Sequence, residues 1–279
     1  MSLYITSLNS GSNGNCYYIG NEREAVLIDA GISCRETEIR MKRLGLAMEK
    51  VKAVFISHEH SDHINGVIVL SKKHQIPVYI TEATHKKARI KLEKHLINRF
   101  KADEPIQIGE LTVTPFQKFH DAHDPHSFTV SSSTVTVGIF TDLGIACKNL
   151  VHHFQQCHAA FLEANYDVEM LENGNYPFIL KKRITNGQGH LSNIQALELF
   201  NTHRPKFLTH LILSHLSKKN NKPELVHELF TQHAGGAEII VASRYEESPV
   251  FKIENSNGVT QQKPAKQKKK ANQQQLSLF

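Results

Sequence analysis

The sequence predicts an α/β fold in which two β-sheets pack face to face with helices outside, an αβ/βα four-layer sandwich. Three observations predict it. The first third of the 279 residues alternates short strand-like runs with helix-like runs. The middle holds long β-branched stretches with no helix signal between them. The last third alternates again. Two strand-rich halves, each followed by helices, bury their apolar faces most simply as two stacked sheets with helices on the outer sides.

Each element has a local reason. "LYITSLN", "NCYYIG" and "AVLIDA" are short apolar runs separated by Gly, Asn and Ser turns, and read as strands. "CRETEIRMKRLG" (34–45) reads as a helix, with Ser33 as its cap and Gly45 as its stop. "KAVFIS" is a strand, "INGVIVLSKKHQ" a helix and "PVYI" a strand again. "IQIGELTVTPFQKF" and "SFTVSSSTVTVGIFTD" look like antiparallel strands. Then follow "AAFLEA" (strand), "NIQALELFNTHR" (helix), "LTHLILSH" (strand), "KPELVHELFTQHA" (helix) and "AEIIVAS" (strand). No repeat appears at solenoid periods.

With 40% hydrophobic residues the chain can build a sizeable core. No apolar run approaches the roughly 18 residues that span a bilayer. The N-terminus has neither a basic nor an apolar signal region, so a cytosolic location is expected. Cys16, Cys34, Cys147 and Cys157 are scattered, as expected of reduced thiols. The net charge of +6 is concentrated. From Asn255 onward there are five lysines and no acid, which leaves 28 basic against 27 acidic residues elsewhere. Residues 1–254 are therefore expected to fold, and 255–279 to form a disordered basic tail. A second excess lies in 85–101, with seven Lys/Arg against one Glu. There Lys87, Lys91, His95 and Arg99 recur at i+4 and would form one stripe of a helix. A solvated helix face explains such a stripe as readily as a phosphate-tracking patch does.

The chemistry is concentrated in "SHEHSDHING". His58, Glu59, His60, Asp62 and His63 fall within six residues after the apolar "VKAVFI". With 18 histidines in the chain a chance pair carries little weight. Four potential ligands at a strand end, leading into a helix start with Gly66, carry much more. Imidazole and carboxylate together suit Zn²⁺, Mn²⁺ or Fe²⁺.

"HEHSDHING" resembles the H-x-H-x-D-H motif of the metallo-β-lactamase fold hydrolases. Further motifs follow in that family's order. "SLNSGSNGNCYYIG" resembles the entry hairpin of the YycJ/WalJ branch, and "FHDAHDPHSF" resembles its H-D-A motif. "IFTDLG", "LEANYD", "GHLSN" and "LILSHLSKKNN" resemble four more. The resemblance implies the four-layer sandwich and a binuclear centre of Zn²⁺ or Mn²⁺. His58, His60 and His120 would hold one metal. Asp62, His63 and His215 would hold the other, with Asp142 between them. Two adjacent divalent metals acidify water, so a hydroxide nucleophile exists near neutral pH. His123 and His126 stand where related sequences usually carry other residues. They could touch metal or substrate, but solvated or locally bonded rings are the commoner case.

Such a nucleophile can attack a lactam, a thioester, a lactone or a phosphodiester. A sugar alkoxide is a poor leaving group and benefits from a proton donor. Glu163 and His190 resemble the carboxylate–histidine pair of tRNase Z and related phosphodiesterases. Separately they would read as a strand-end ion-pairing acid and a residue beside the Ser192 helix cap. The catalytic set is thus Asp62, Glu163 and His190. The branch resemblance implies a DNA exonuclease working from 5′ ends, linked to DNA repair or replication. An RNA-processing nuclease is the alternative. A thioesterase or lactonase would leave Glu163 and His190 unexplained. A non-catalytic clamp- or DNA-bound accessory protein would be expected to have lost ligands.

The chain ends on "QLSLF". Gln275, Leu276, Ser277, Leu278 and Phe279 resemble the pentapeptide by which bacterial DNA-processing proteins bind the replication sliding clamp. A terminus that folds back on the body is the plainer alternative. Nucleic acid and the clamp are thus the expected partners, with no membrane.

Overall fold

A computed structural model describes residues 2–255. The lysine-rich tail and Gln275–Phe279 lie outside the described residues. Two seven-stranded sheets form the body. The first contains β1 (Leu3–Asn9), β2 (Cys16–Gly20), β3 (Ala25–Ile28), β4 (Val51–Phe55), β5 (Val78–Tyr79) and β6 (Ile97–Asn98) in chain order. The second runs from β7 (Ile106–Ile108) through β8 (Leu111–Gln117), β9 (His126–Ser132), β10 (Val135–Phe140), β11 (Ala159–Glu163) and β12 (His210–Ser214) to β13 (Glu238–Val241). The last strand, β14 (Phe251–Ile253), returns to the first sheet and pairs antiparallel with β1.

Both sheets change direction once. β1, β2 and β3 are antiparallel, and β3 to β6 are parallel. β7 to β10 are antiparallel, and β10 to β13 are parallel. Side chains of Ile5, Tyr17, Phe55, Phe128 and Phe161 fill the space between the sheets. A second apolar cluster packs α1 (Cys34–Arg43) and α3 (Val67–His74) on the outer face of the first sheet. A third packs α5 (Lys148–Phe154), α8 (Asn193–His203) and α9 (Pro223–Thr231) on the second. The four-layer sandwich is therefore the architecture.

Local signals placed most elements. Ser33 caps α1 by accepting from the Glu36 backbone N–H, and Gly45 follows with φ +69°. The helix expected over 64–75 forms as α3, and the single turn α2 (Ser61–Ile64) precedes it. At the join, a Cβ on Gly66 would lie 1.9 Å from the Ile32 carbonyl oxygen, so only glycine fits there. The basic helix stripe does not form. α4 (Glu82–Ala88) ends at Arg89, which adopts φ 53°, and Ile97–Asn98 joins the sheet beside β5. Lys87 is thus on α4 and His95 on a separate 3₁₀ turn (Lys94–Leu96), whereas Lys91 and Arg99 are on no helix. α6 (Val168–Asn173) and α7 (Phe178–Thr185) had no clear sequence signal. All four cysteines are free thiols. Among the described residues no helix is long and apolar enough to cross a membrane.

Candidate metal centre

The carboxyl ends of the parallel strands meet at one mouth, where open α/β sheets bind ligands. Asp29 follows β3, His58 follows β4, Asp142 follows β10, Glu163 ends β11 and His215 follows β12. α2 adds Asp62 and His63, and the segment between β8 and β9 adds His120. Asp29, Asp142 and His215 all have φ near +60°, an uncommon backbone for these residue types, found where function dictates aim.

His58, His60 and His120 present ring nitrogens within 4.8 Å of one another, and Asp62, His63 and His215 form a second such group. Asp142 stands between them. Its Oδ2 is 3.2 Å from His63 Nε2, and its Oδ1 is 3.5 Å from His215 Nε2 and 3.8 Å from His120 Nε2.

Acceptors behind the rings fix which nitrogen faces the centre. A carboxylate or carbonyl oxygen only accepts, so the nitrogen touching it donates. His63 Nδ1 donates to Asp29 Oδ2 at 2.6 Å, and His215 Nδ1 to Glu163 Oε1 at 3.2 Å. His120 Nδ1 donates to the Gly189 carbonyl at 3.0 Å. Ser57 Oγ gives its proton to Asp29 Oδ2 at 2.8 Å and so accepts from His58 Nδ1 at 2.9 Å. Four Nε2 atoms therefore face the same space, the arrangement metal-binding histidines use. His58 Nε2 faces His60 Nδ1 at 3.0 Å, and His120 Nε2 faces it at 3.3 Å. Buried His215 Nε2 and Asp142 Oδ2 find no hydrogen-bond partner. Ring nitrogens and carboxylate oxygens converging on one space form a donor set that fits a divalent cation.

The electrostatics agree. Burial pushes the His58 ring well below its ordinary value and His120 down to about 3, which favours neutral, metal-competent imidazoles. Burial also disfavours charge on His63 and His215. Around His63 that effect is outweighed by Asp142, Asp29 and Asp62, which hold it well above its ordinary value. His215 is raised to about 10 by Asp142, with Asp62 and Glu163. Asp62 and Asp142 stay below the usual carboxylate range despite burial, because these rings face them. Metal entering the centre would displace the protons held by His63 and His215.

A profile described as the beta-lactamase superfamily domain matches residues 24–215. The chain belongs to that superfamily, in its metallo-β-lactamase fold. It is 33% identical over 233 residues to exodeoxyribonuclease YycJ of Bacillus anthracis, covering 81% of this chain and 86% of the relative. It is 30% identical over 237 residues to exodeoxyribonuclease WalJ of Streptococcus pneumoniae, covering 83% and 88%. A solved metallo-β-lactamase fold protein, YhfI of Bacillus subtilis, superposes with a TM-score of 0.71 at 16% identity, covering 90% of this chain and all of that one. As a member of this family the chain is a metal-dependent hydrolase that uses divalent ions.

Glu163 is fully buried and accepts four hydrogen bonds. They come from His190 Nδ1 at 2.7 Å, His215 Nδ1 at 3.2 Å, and the backbone N–H groups of Leu143 and Leu191 at 2.6 and 3.3 Å. One carboxylate thus orients both a ring of the centre and the ring beside it. Ser192 does cap α8, through a capping box, so His190 also stands at a helix entry. His123 is exposed, and its backbone N–H donates to Glu59. His126 is buried, bonded to the Asp124 carbonyl and edge-on to Phe100. Neither belongs to a donor group among the described residues.

Sequence reasoning missed the residues behind the donors. Asp29 looks like no more than the end of the "AVLIDA" strand, yet it holds both Ser57 and His63. Asn15 Nδ2 donates to Asp62 Oδ2 at 3.1 Å, and Asn165 Nδ2 to the His215 carbonyl at 2.7 Å. Buried Lys118 donates to the Thr141 carbonyl at 2.7 Å. A carboxylate closing a buried apolar strand was the available signal for Asp29, as it was for Glu163. Asp29→Asn is expected to weaken divalent-metal affinity roughly 10–100-fold, because Asn cannot fix the His63 ring as a carboxylate does. Competition against a chromogenic chelator measures this, and an unchanged affinity would assign Asp29 to packing alone.

Proposed function

We propose that the protein is a DNA exonuclease in which residues 1–254 carry out the reaction and residues 255–279 act as a tether. His58, His60 and His120 would hold one divalent ion, Asp62, His63 and His215 a second, with Asp142 serving both. When bound, the ions would supply a water-derived nucleophile and stabilise charge on the phosphoryl oxygens. The observation that carries the reading is the Glu163–His190 pair beside this donor set. Its Nδ1 committed to Glu163, His190 can hold a proton at Nε2 for the leaving sugar oxygen. Glu163 keeps that ring aligned with His215, so proton donor and metal centre share one anchor. A thioester or lactone hydrolase would have no use for the pair. Two exodeoxyribonuclease relatives over most of the chain support DNA over RNA.

A digestion panel tests this. Duplex DNA, single-stranded DNA, RNA and bis-p-nitrophenyl phosphate are each offered with Zn²⁺ or Mn²⁺. Release of mononucleotides from DNA ends is expected, and preferential RNA cleavage would install the RNA-processing alternative. Fewer than one metal per chain after gentle purification would favour a non-catalytic accessory role.

The tail would bring the enzyme to DNA through the sliding clamp. Leu278 and Phe279 would enter an apolar pocket, the Gln275 amide would fix register, and the lysines would add sequence-independent attraction to DNA. A peptide of residues 272–279 is expected to bind purified clamp weakly, the tether adding the rest through effective concentration. Replacing Leu278 and Phe279 together by Ala should remove that binding. Absence of saturable binding at about millimolar peptide would refute the clamp reading; even weak one-site contacts have millimolar constants.

A further inference from the structure

α7 forms one wall of the candidate site. Tyr176, Leu180, Arg183 and Ile184 line a cavity of about 210 Å³ together with His190 and His215. Leu180 and Ile184 face inward and pack with Tyr166 and Leu171. The outer end of the same helix does the opposite. Phe178 is 79% exposed and Ile179 is 82% exposed, the two most exposed large apolar side chains of the described residues. A soluble surface carries such neighbours where something docks. Their setting is basic. Residues 173–190 hold Lys181, Lys182 and Arg183 and no acid. Lys182, one turn on from Phe178 on the same stripe, is exposed and has no ion pair among the described residues. Arg183 pairs with Asp121 at the cavity edge, and Lys219 lies 5.6 Å from the Tyr176 ring centroid. Apolar and aromatic faces interleaved with cations are the surface that single strands use. An eight-residue helix is about 12 Å long, a few nucleotides along a strand.

We propose that the outer end of α7 is a platform for unpaired bases of the substrate strand: Phe178 and Ile179 take base faces, and Lys182 takes a backbone phosphate. This rests on the nucleic-acid reading above and adds where the strand lies outside the site. An apolar protein partner or a second copy would gain little from the surrounding cations, whereas a polyanion with apolar bases matches both features.

The test compares the wild type with a Phe178→Ser, Ile179→Ser double variant and with Lys182→Ala. For a single-stranded oligonucleotide the double variant should raise KM about tenfold or more, the range of lost base stacking. Its kcat/KM on bis-p-nitrophenyl phosphate, too small to reach the platform, should not change. Lys182→Ala should lower the salt dependence of oligonucleotide KM by about one phosphate. An unchanged oligonucleotide KM in the double variant, while the wild type digests the strand, overturns the platform and leaves the nuclease reading intact. So does an equal loss on both substrates. A wild type that digests no nucleic acid yet hydrolyses the small diester instead removes the nuclease reading and the platform with it. Sedimentation adds one more outcome. A wild-type dimer that the double variant dissolves, with oligonucleotide KM unchanged, would reassign the patch to self-association.

Discussion

Asp62→Ala is expected to lower hydrolysis of every phosphodiester roughly 10³-fold or more, with the fold retained. Metal-borne charge stabilisation contributes several kcal/mol, and each 1.36 kcal/mol is a factor of ten. Asp62 lies in the first turn of α2 with 18% of its side chain exposed, so its removal empties no core space. It loses one oxygen that faces both His63 Nε2 and His215 Nε2 at 3.5 Å. His63→Ala should abolish activity as well, but not cleanly. Unlike Asp62, His63 is fully buried and pairs with fully buried Asp29. Truncating it leaves that carboxylate without its cationic or ring partner, a change that typically costs about 3–5 kcal/mol. The two variants are thus separated by thermal unfolding: near wild type for Asp62→Ala, strongly lowered for His63→Ala. Wild-type rates in Asp62→Ala, with metal content unchanged, would sink the assignment of two ions to this donor set.

His190→Ala should slow cleavage of DNA about 10²–10⁴-fold, the usual contribution of a positioned acid, while leaving bis-p-nitrophenyl phosphate nearly untouched. Nitrophenolate departs without a proton; a sugar alkoxide does not. The ring is 22% exposed at the cavity, so the truncation opens no buried void. Glu163 would still accept from His215 and from the Leu143 and Leu191 backbone, so the metal side of the centre keeps its support. The ratio of the two rates is the readout, because loss of folded protein lowers both equally. Equal losses on the two substrates would make His190 a positioning residue for metal or substrate.

How much of this was readable in the chain depends on distance along it. His58, His60, Asp62 and His63 fall within six residues, and their crowding after a buried strand points to a metal without any fold in hand. His120, Asp142, Glu163, His190 and His215 are ordinary residues in ordinary strand ends. They entered only through resemblance, because nothing local says that β10, β11 and β12 end at the same mouth as β4. Asp29 had no such help, although it is as fully buried as His63.

The failures share a cause. The i+4 spacing of Lys87, Lys91, His95 and Arg99 satisfied a helical period, but β5 offered Ile97 and Asn98 a parallel partner and the helix ended at Ala88. α7 was not foreseen because its two most prominent apolar residues face outward, which spoils the stripe that marks a helix. By itself the sequence determined the layers, the alternation, the α1 cap at Ser33 and the four clustered donors from His58 to His63. Each follows from periodicity, propensity or short-range spacing. The tertiary structure alone decided which Nε2 atoms converge, that Glu163 serves His190 and His215 together, and that the outer end of α7 stays bare beside the site. Those depend on contacts between segments far apart in the chain, where the free energy lies in packing and pairing that no local pattern records.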